Sequence, residues 1–223
     1  MSSPNRISQL GFVNCYLVPE DEGLTLIDTM LPGSTKQILA AAESAGAPIV
    51  RILLTHAHGD HVGSLDKLRA ELPKTDVIIS ERDARPLDGD KSLDPDEPKD
   101  KLRGSYPSTE TRPNRLISAG DRVGSLEAVA APGHTPGQLA FLDPRDDTLY
   151  CADAYSTLGG VATTAKPNPR FPLPALATWH RPTALESARS LAALSPKALA
   201  PGHGQIIGDP VGQMREAIAK AES

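Results

Sequence analysis

Three of the chain's six histidines fall within six residues, in Thr55-His56-Ala57-His58-Gly59-Asp60-His61. For a chain of this composition, an H-x-H-x-D-H match has a chance expectation of about 3 × 10⁻⁴. The segment follows residues 50–54, a short, mostly apolar run of strand length that reads as buried on both faces. It therefore sits at the C-terminal end of a buried strand, where α/β sheets carry their sites. Ligand-type groups crowded into one loop repel one another when protonated and lose solvation when buried. A bound metal removes both penalties. In an extended or tightly turned loop, residues i and i+2 can point the same way. His56 and His58 can then chelate one ion while Asp60 and His61 turn toward a second. Imidazole and carboxylate together suit zinc, iron or manganese.

Two more histidines repeat this setting. His134 lies in Ala131-Pro132-Gly133-His134-Thr135-Pro136-Gly137, directly after a predicted strand at 126–131. His203 lies in Ala200-Pro201-Gly202-His203-Gly204, after a predicted strand at 197–200. Flanking glycine lets the backbone turn sharply and approach a ligand. Asp153 likewise ends the predicted strand 148–151. Five histidines and two aspartates thus stand at strand ends.

The rest of the chain reads as strands and helices, a break, then strands and helices again. Strands are expected at 12–18, 24–28 and 77–79, with helices at 34–45 and 65–72. Residues 81–116 carry seventeen charged residues and five prolines, which predicts a long surface excursion without a buried apolar face. A second proline-rich excursion is expected at 155–182. Thr183 with Glu186 reads as a capping box opening the next helix. Asp209 with Pro210 at the first helical position reads as the start of the last one. This order suggests an α/β sandwich of two similar halves in a single domain spanning 1–223.

Composition narrows the function. A formal net charge of −5 offers no footprint for a phosphate backbone, so nucleic acid is not an expected partner. No apolar run exceeds five residues, so no membrane-spanning helix is expected. The polar start of the chain has no signal-peptide pattern. Cys15 and Cys151 form no disulfide framework, read as buried small hydrophobes, and point to a reducing cytoplasmic location.

The motifs T-H-A-H-G-D-H, P-G-H-T-P-G, an Asp after a strand, and P-G-H-G strongly resemble those of metallo-β-lactamase-fold hydrolases. The resemblance implies a four-layer αββα sandwich with two divalent metal ions in its central cleft, zinc first, iron or manganese as alternatives. It implies that His56, His58 and His134 hold one ion, that Asp60, His61 and His203 hold the other, and that Asp153 bridges them. Two such ions with two aspartates and a bridging hydroxide leave about one positive charge, which suits an anionic tetrahedral intermediate. Asp60 is also a candidate to accept the hydroxide's proton. Only twenty residues follow His203, so the helical C-terminal domain of glyoxalase II is not expected. The resemblance then points to a lactonase, esterase or thioesterase acting on a small molecule. Tyr155, two positions after Asp153, is a candidate substrate contact, and Phe171 and Trp179 are candidate pocket walls. His180 matches no ligand of the family. The rival readings are a mononuclear iron sulfur dioxygenase using His56, His134 and Asp153, a phosphodiesterase or β-lactam hydrolase, and a non-catalytic metal-binding domain.

Overall fold

The computed structural model describes residues 5–223. The first sheet contains β1 (Asn5–Gln9), β2 (Val13–Glu20), β3 (Gly23–Ile27), β4 (Ile49–Leu53), β5 (Asp76–Ser80) and β6 (Arg115–Ile117), in that spatial order. Strands β1 to β3 form an antiparallel meander, and β3 to β6 run parallel. The parallel steps need crossovers. Helix α1 (Thr35–Ser44) supplies the first, and α2 (Gly59–Val62) with α3 (Leu65–Glu71) the second. The third carries α4 (Glu81–Leu87) and a long irregular strap over residues 88–114.

The second sheet contains β7 (Arg122–Val123), β8 (Leu126–Ala130), β9 (Leu139–Asp143) and β10 (Thr148–Ala152). A two-stranded ribbon, β11 (Tyr155–Ser156) with β12 (Ala162–Thr163), then leads through α5 (Leu173–Leu176) and α6 (Arg181–Ala193). Strand β13 (Ala198–Pro201) returns parallel to β10, β14 (Ile207–Gly208) lies at the edge, and α7 (Val211–Glu222) closes the chain.

Strand alternation builds the layers. In β2, Cys15 and Leu17 face Ile38 of α1 and Leu65 and Leu68 of α3, while Tyr16 and Val18 face the other sheet. In β10, Tyr150 joins Tyr16 and Phe141 between the sheets, while Leu149 and Cys151 face Ala188 and Leu191 of α6 and Met214 of α7. Three apolar layers between four layers of structure make an αββα sandwich. Both cysteines are buried and unpaired, as expected.

Three local expectations change. The 81–116 excursion does bury part of itself: α4 is capped by Ser80 Oγ accepting from Asp83 N, Asp83 and Leu87 are buried, and β6 joins the sheet. Helix α6 starts before Pro182, because proline fits a helix's first turn, and His180 takes the cap by accepting from Thr183 N. Pro210, with helical φ, replaces Asp209 at the cap of α7. Among the described residues no helix is long and apolar enough to cross a membrane.

Candidate metal centre

The strand ends converge. The loop after β4 supplies His56 and His58, and its continuation into α2 supplies Asp60 and His61. The turn after β8 supplies His134, the end of β10 supplies Asp153, and the end of β13 supplies His203. Donor atoms from these residues form three trios, each within 4.8 Å: His56, His58 and His134; His56, His61 and Asp153; Asp60, His61 and His203. Asp153 is central. One of its oxygens lies 3.4 Å from His61 Nε2, and the other 3.4 Å from His134 Nε2 and 3.2 Å from His203 Nε2. Asp60 lies 3.3 Å from His203 Nε2. Glycine lets β13 pass this close, since a Cβ on Gly202 would collide with Asp153 Oδ1.

Every imidazole is oriented from behind. His61 Nδ1–H donates to Asp28 Oδ2 at 2.7 Å, and His203 Nδ1–H to Phe12 O at 3.2 Å. His58 Nε2–H donates to Arg103 O in the strap at 2.9 Å. Thr55 Oγ1 donates to Asp28 and so accepts from His56 Nδ1. Thr178 Oγ1 donates to Pro174 O and so accepts from His134 Nδ1. With these protons assigned, the inward nitrogens of neutral His56, His58 and His134 carry lone pairs, as metal-ligating histidines require, and those of His61 and His203 do so once neither ring holds a second proton. His58 Nδ1 and His134 Nε2 then face each other at 2.9 Å with a proton on neither. His56 Nε2, His61 Nε2 and Asp153 Oδ1 are buried with no hydrogen-bond partner. Buried polar atoms rarely go unpaired, and a cation among them would satisfy all three. The residues present fit divalent metal ions.

The electrostatics divide the cluster. Burial, reinforced by His61, His58 and His134, holds His56 well below the usual imidazole range. Burial and the His134 charge push His58 down to about 3. Burial, opposed by Asp153, leaves His134 at about 4. These three are neutral near pH 7. Burial also opposes charge on His61 and His203, but Asp153 leads the neighbours that prevail. It holds His61 well above its usual range and, with its own hydrogen bond and Asp60's, His203 at about 9. Burial opposes the charges of Asp60 and Asp153 too, yet His61 and His203 hold both below the usual carboxylate range. A cation joining the first trio meets free lone pairs, and one joining the last must displace protons.

The cleft above has a volume of about 360 Å³ and is bordered by Asp60, His58, His134 and His203. Phe171 lines it, as expected. Trp179 is instead buried beside it, and its Nε1–H ties down the strap by donating to Asp100 O at 2.8 Å. Tyr155 is not brought to the site. It is fully buried, and its hydroxyl donates to Ala188 O on α6 at 2.6 Å. The turn at Asp153 and Ala154 aims it into the outer layer.

Three contributors were missed. Asp28, at φ +62, accepts from Thr55 N, Thr55 Oγ1 and His61 Nδ1. Its sequence signal is a carboxylate at the end of a buried strand, the same signal that marks Asp153. Asp83, on α4, accepts from Ala57 N, Thr135 Oγ1 and Gly137 N, tying the His56–His61 loop to the His134 turn. The strap's contribution comes from a backbone carbonyl and has no side-chain signature.

A four-layer sandwich with histidines and aspartates converging at its strand ends has the architecture of a metallohydrolase. Residues 9–203 match the Metallo-beta-lactamase superfamily, and the chain belongs to it. The uncharacterized protein YobT of Bacillus subtilis (strain 168) is 49% identical over 211 residues, covering 94% of this chain and 91% of YobT. The probable metallo-hydrolase YflN of the same strain is 28% identical over 213 residues, covering 86% and 80%. The crystal structure of TTHA1623 in a di-iron-bound form superposes with a TM-score of 0.68 at 26% identity, covering 94% of this chain and 96% of that one.

Proposed function

We propose that the protein is a dinuclear metal-dependent hydrolase acting on a small carboxylic ester, lactone or thioester. The observation that carries this is the set of buried, partnerless atoms His56 Nε2, His61 Nε2 and Asp153 Oδ1 lying inside three overlapping donor trios. His56, His58 and His134 would hold one ion, Asp60, His61 and His203 the other, and Asp153 would touch both. Bound there, the ions would lower the pKa of water toward ~7 and polarise the scissile carbonyl. The protein's own part is positional and acid–base. Asp28, Thr55 and Arg103 O fix the imidazoles, and Asp83 joins the two loops that carry them. Asp60, with a side chain 33% exposed against 3% for Asp153, is the carboxylate that solvent and substrate can reach. We assign it the proton released by the attacking water. Zinc is the first expectation, and the di-iron form of TTHA1623 supports iron as the alternative.

The mononuclear reading needs only His56, His134 and Asp153 and leaves the Asp60, His61 and His203 trio without a purpose. The test is to strip the protein with chelator, reload it with zinc, iron or manganese, and assay p-nitrophenyl esters, lactones, thioesters, phosphodiesters and β-lactams. Metal-dependent turnover of esters, lactones or thioesters is expected. Its absence on all of them, or oxygen consumption on persulfides with one iron per chain, overturns the proposal.

A further inference from the structure

The cleft is apolar along one wall, and among the described residues no lysine or arginine lines it. Phe12 and Phe171 meet edge to face with centroids 5.7 Å apart, and Phe171 lies 5.4 Å from the His203 ring. Leu173 and Leu176 continue this wall on α5, 59% and 51% exposed, with Pro174 and Ala177 beside them. Scattered exposed leucines are ordinary, but this pair adjoins two phenylalanines at the mouth of a reactive centre. The wall is also held in place. Thr178, which orients His134, donates to Pro174 O within the same turn, so the segment displaying the leucines is fixed to a candidate ligand.

Among the described residues lining the cleft there is no lysine or arginine, and the only carboxylate is Asp60. Two nearby guanidinium groups are engaged elsewhere. Arg170, next to Phe171, reaches Gly159 O, and Arg6 binds Asn14, Gly204 and Gln205. Arg103 gives its carbonyl to His58, and its exposed side chain is not among those lining the cleft. A carboxylate or phosphate laid along this wall would lose water and find no partner. A hydrocarbon chain would lose nothing and cover the leucines.

We infer that the site takes an ester or thioester whose acyl group is an uncharged hydrocarbon chain lying along Phe12, Phe171, Leu173 and Leu176. This rests on the hydrolase reading above. Water adds to the acyl carbon, the C–O or C–S bond breaks, the leaving oxygen or sulfur takes a proton, and the carboxylic acid departs.

The test uses the metal-loaded protein and p-nitrophenyl esters from acetate to hexanoate, with the adipate monoester as the hexanoate carrying a terminal charge. Burial of each methylene is expected to raise kcat/KM by up to about fourfold, and at least tenfold over the series. The adipate monoester is expected to be at least tenfold poorer than hexanoate. In Leu173→Asp and Leu176→Asp the rise with chain length flattens, and both positions are exposed enough for the fold to survive. Binding of 2-octanone against 7-oxooctanoate, followed by protein NMR, needs no turnover. It therefore separates failure of this inference from failure of the hydrolase reading. Tighter binding of the neutral ketone, lost in the Asp variants, supports the inference. A flat chain-length series, or equal binding of the two ketones, overturns it.

Discussion

Replacing Asp28 by Asn tests whether the carboxylate behind the histidines sets their metal-binding form. Asn has nearly the same volume and tolerates the left-handed φ of +62, so the backbone need not move. One amide oxygen can still accept from Thr55 N, which lies 2.8 Å from Asp28 Oδ1. The amide NH₂ then faces two donors, His61 Nδ1–H at 2.7 Å and Thr55 Oγ1–H at 2.8 Å. A charge-assisted bond worth about 1.5–3 kcal/mol is lost. When His61 gives up one proton to bind a cation, the proton it keeps then sits on Nε2, the nitrogen that faces Asp153 and Asp60. That removes the lone pair a metal needs. Loss of such a supporting contact lowers metal affinity by about 10–100-fold, or about 1.4–2.7 kcal/mol. The drop should fall on the Asp60, His61 and His203 trio, with a smaller effect on His56 through Thr55. Competition titration of chelator-stripped wild type and Asp28→Asn against a chromophoric chelator reads both steps. Two affinities within twofold of wild type, in a variant with an unchanged circular dichroism spectrum, would show that the Asp28 carboxylate does not set the metal-binding form of His61.

The metal-free protein should lose stability on both sides of neutrality. His58 and His134, at about 3 and about 4, lie below the unfolded value of ~6.5, so their contribution is present above that value and lost as pH falls through theirs. His203, at about 9, contributes fully below ~6.5 and loses that contribution as pH rises through 9. Thermal melts from pH 4 to 10 read this, and a flat profile between pH 4 and 7 would contradict it. Gly104→Ala should cost about 1–2 kcal/mol from its φ of +85 alone. Its Cβ would also lie 2.5 Å from His58 Nε2, so first-trio affinity should fall about tenfold in the same titration. Tyr155→Phe should keep kcat within twofold and lower stability by about 1 kcal/mol, the net worth of its bond to Ala188 O. A tenfold fall in kcat with the melting temperature retained would restore Tyr155 to the reaction.

The candidate ligands were legible because each follows a strand, and strands announce themselves by apolar runs such as 50–54. The alternation of Cys15 and Leu17 with Tyr16 and Val18 already encodes one strand facing helices on one side and a sheet on the other. What stayed hidden depends on contacts distant in sequence. Asp28 reads only as the last residue of an expected strand until His61, 33 positions away, is folded against it. Asp83 sits in a charged stretch that reads as solvated. Only the folded chain brings Ala57 N, Thr135 Oγ1 and Gly137 N to its carboxylate. Tyr155 misled by proximity: two positions from Asp153 along the chain, it faces the opposite side of the sheet.

Seven side chains from four strand ends supply the donors for the two adjoining cation sites proposed above. Equilibrium titration of chelator-stripped protein with zinc, with protons released counted in parallel, tests for them most directly. Two equivalents per chain are expected at neutral pH, the first bound with little proton release and the second displacing protons from His61 and His203. Saturation at one equivalent, or no tight binding at all, would contradict this.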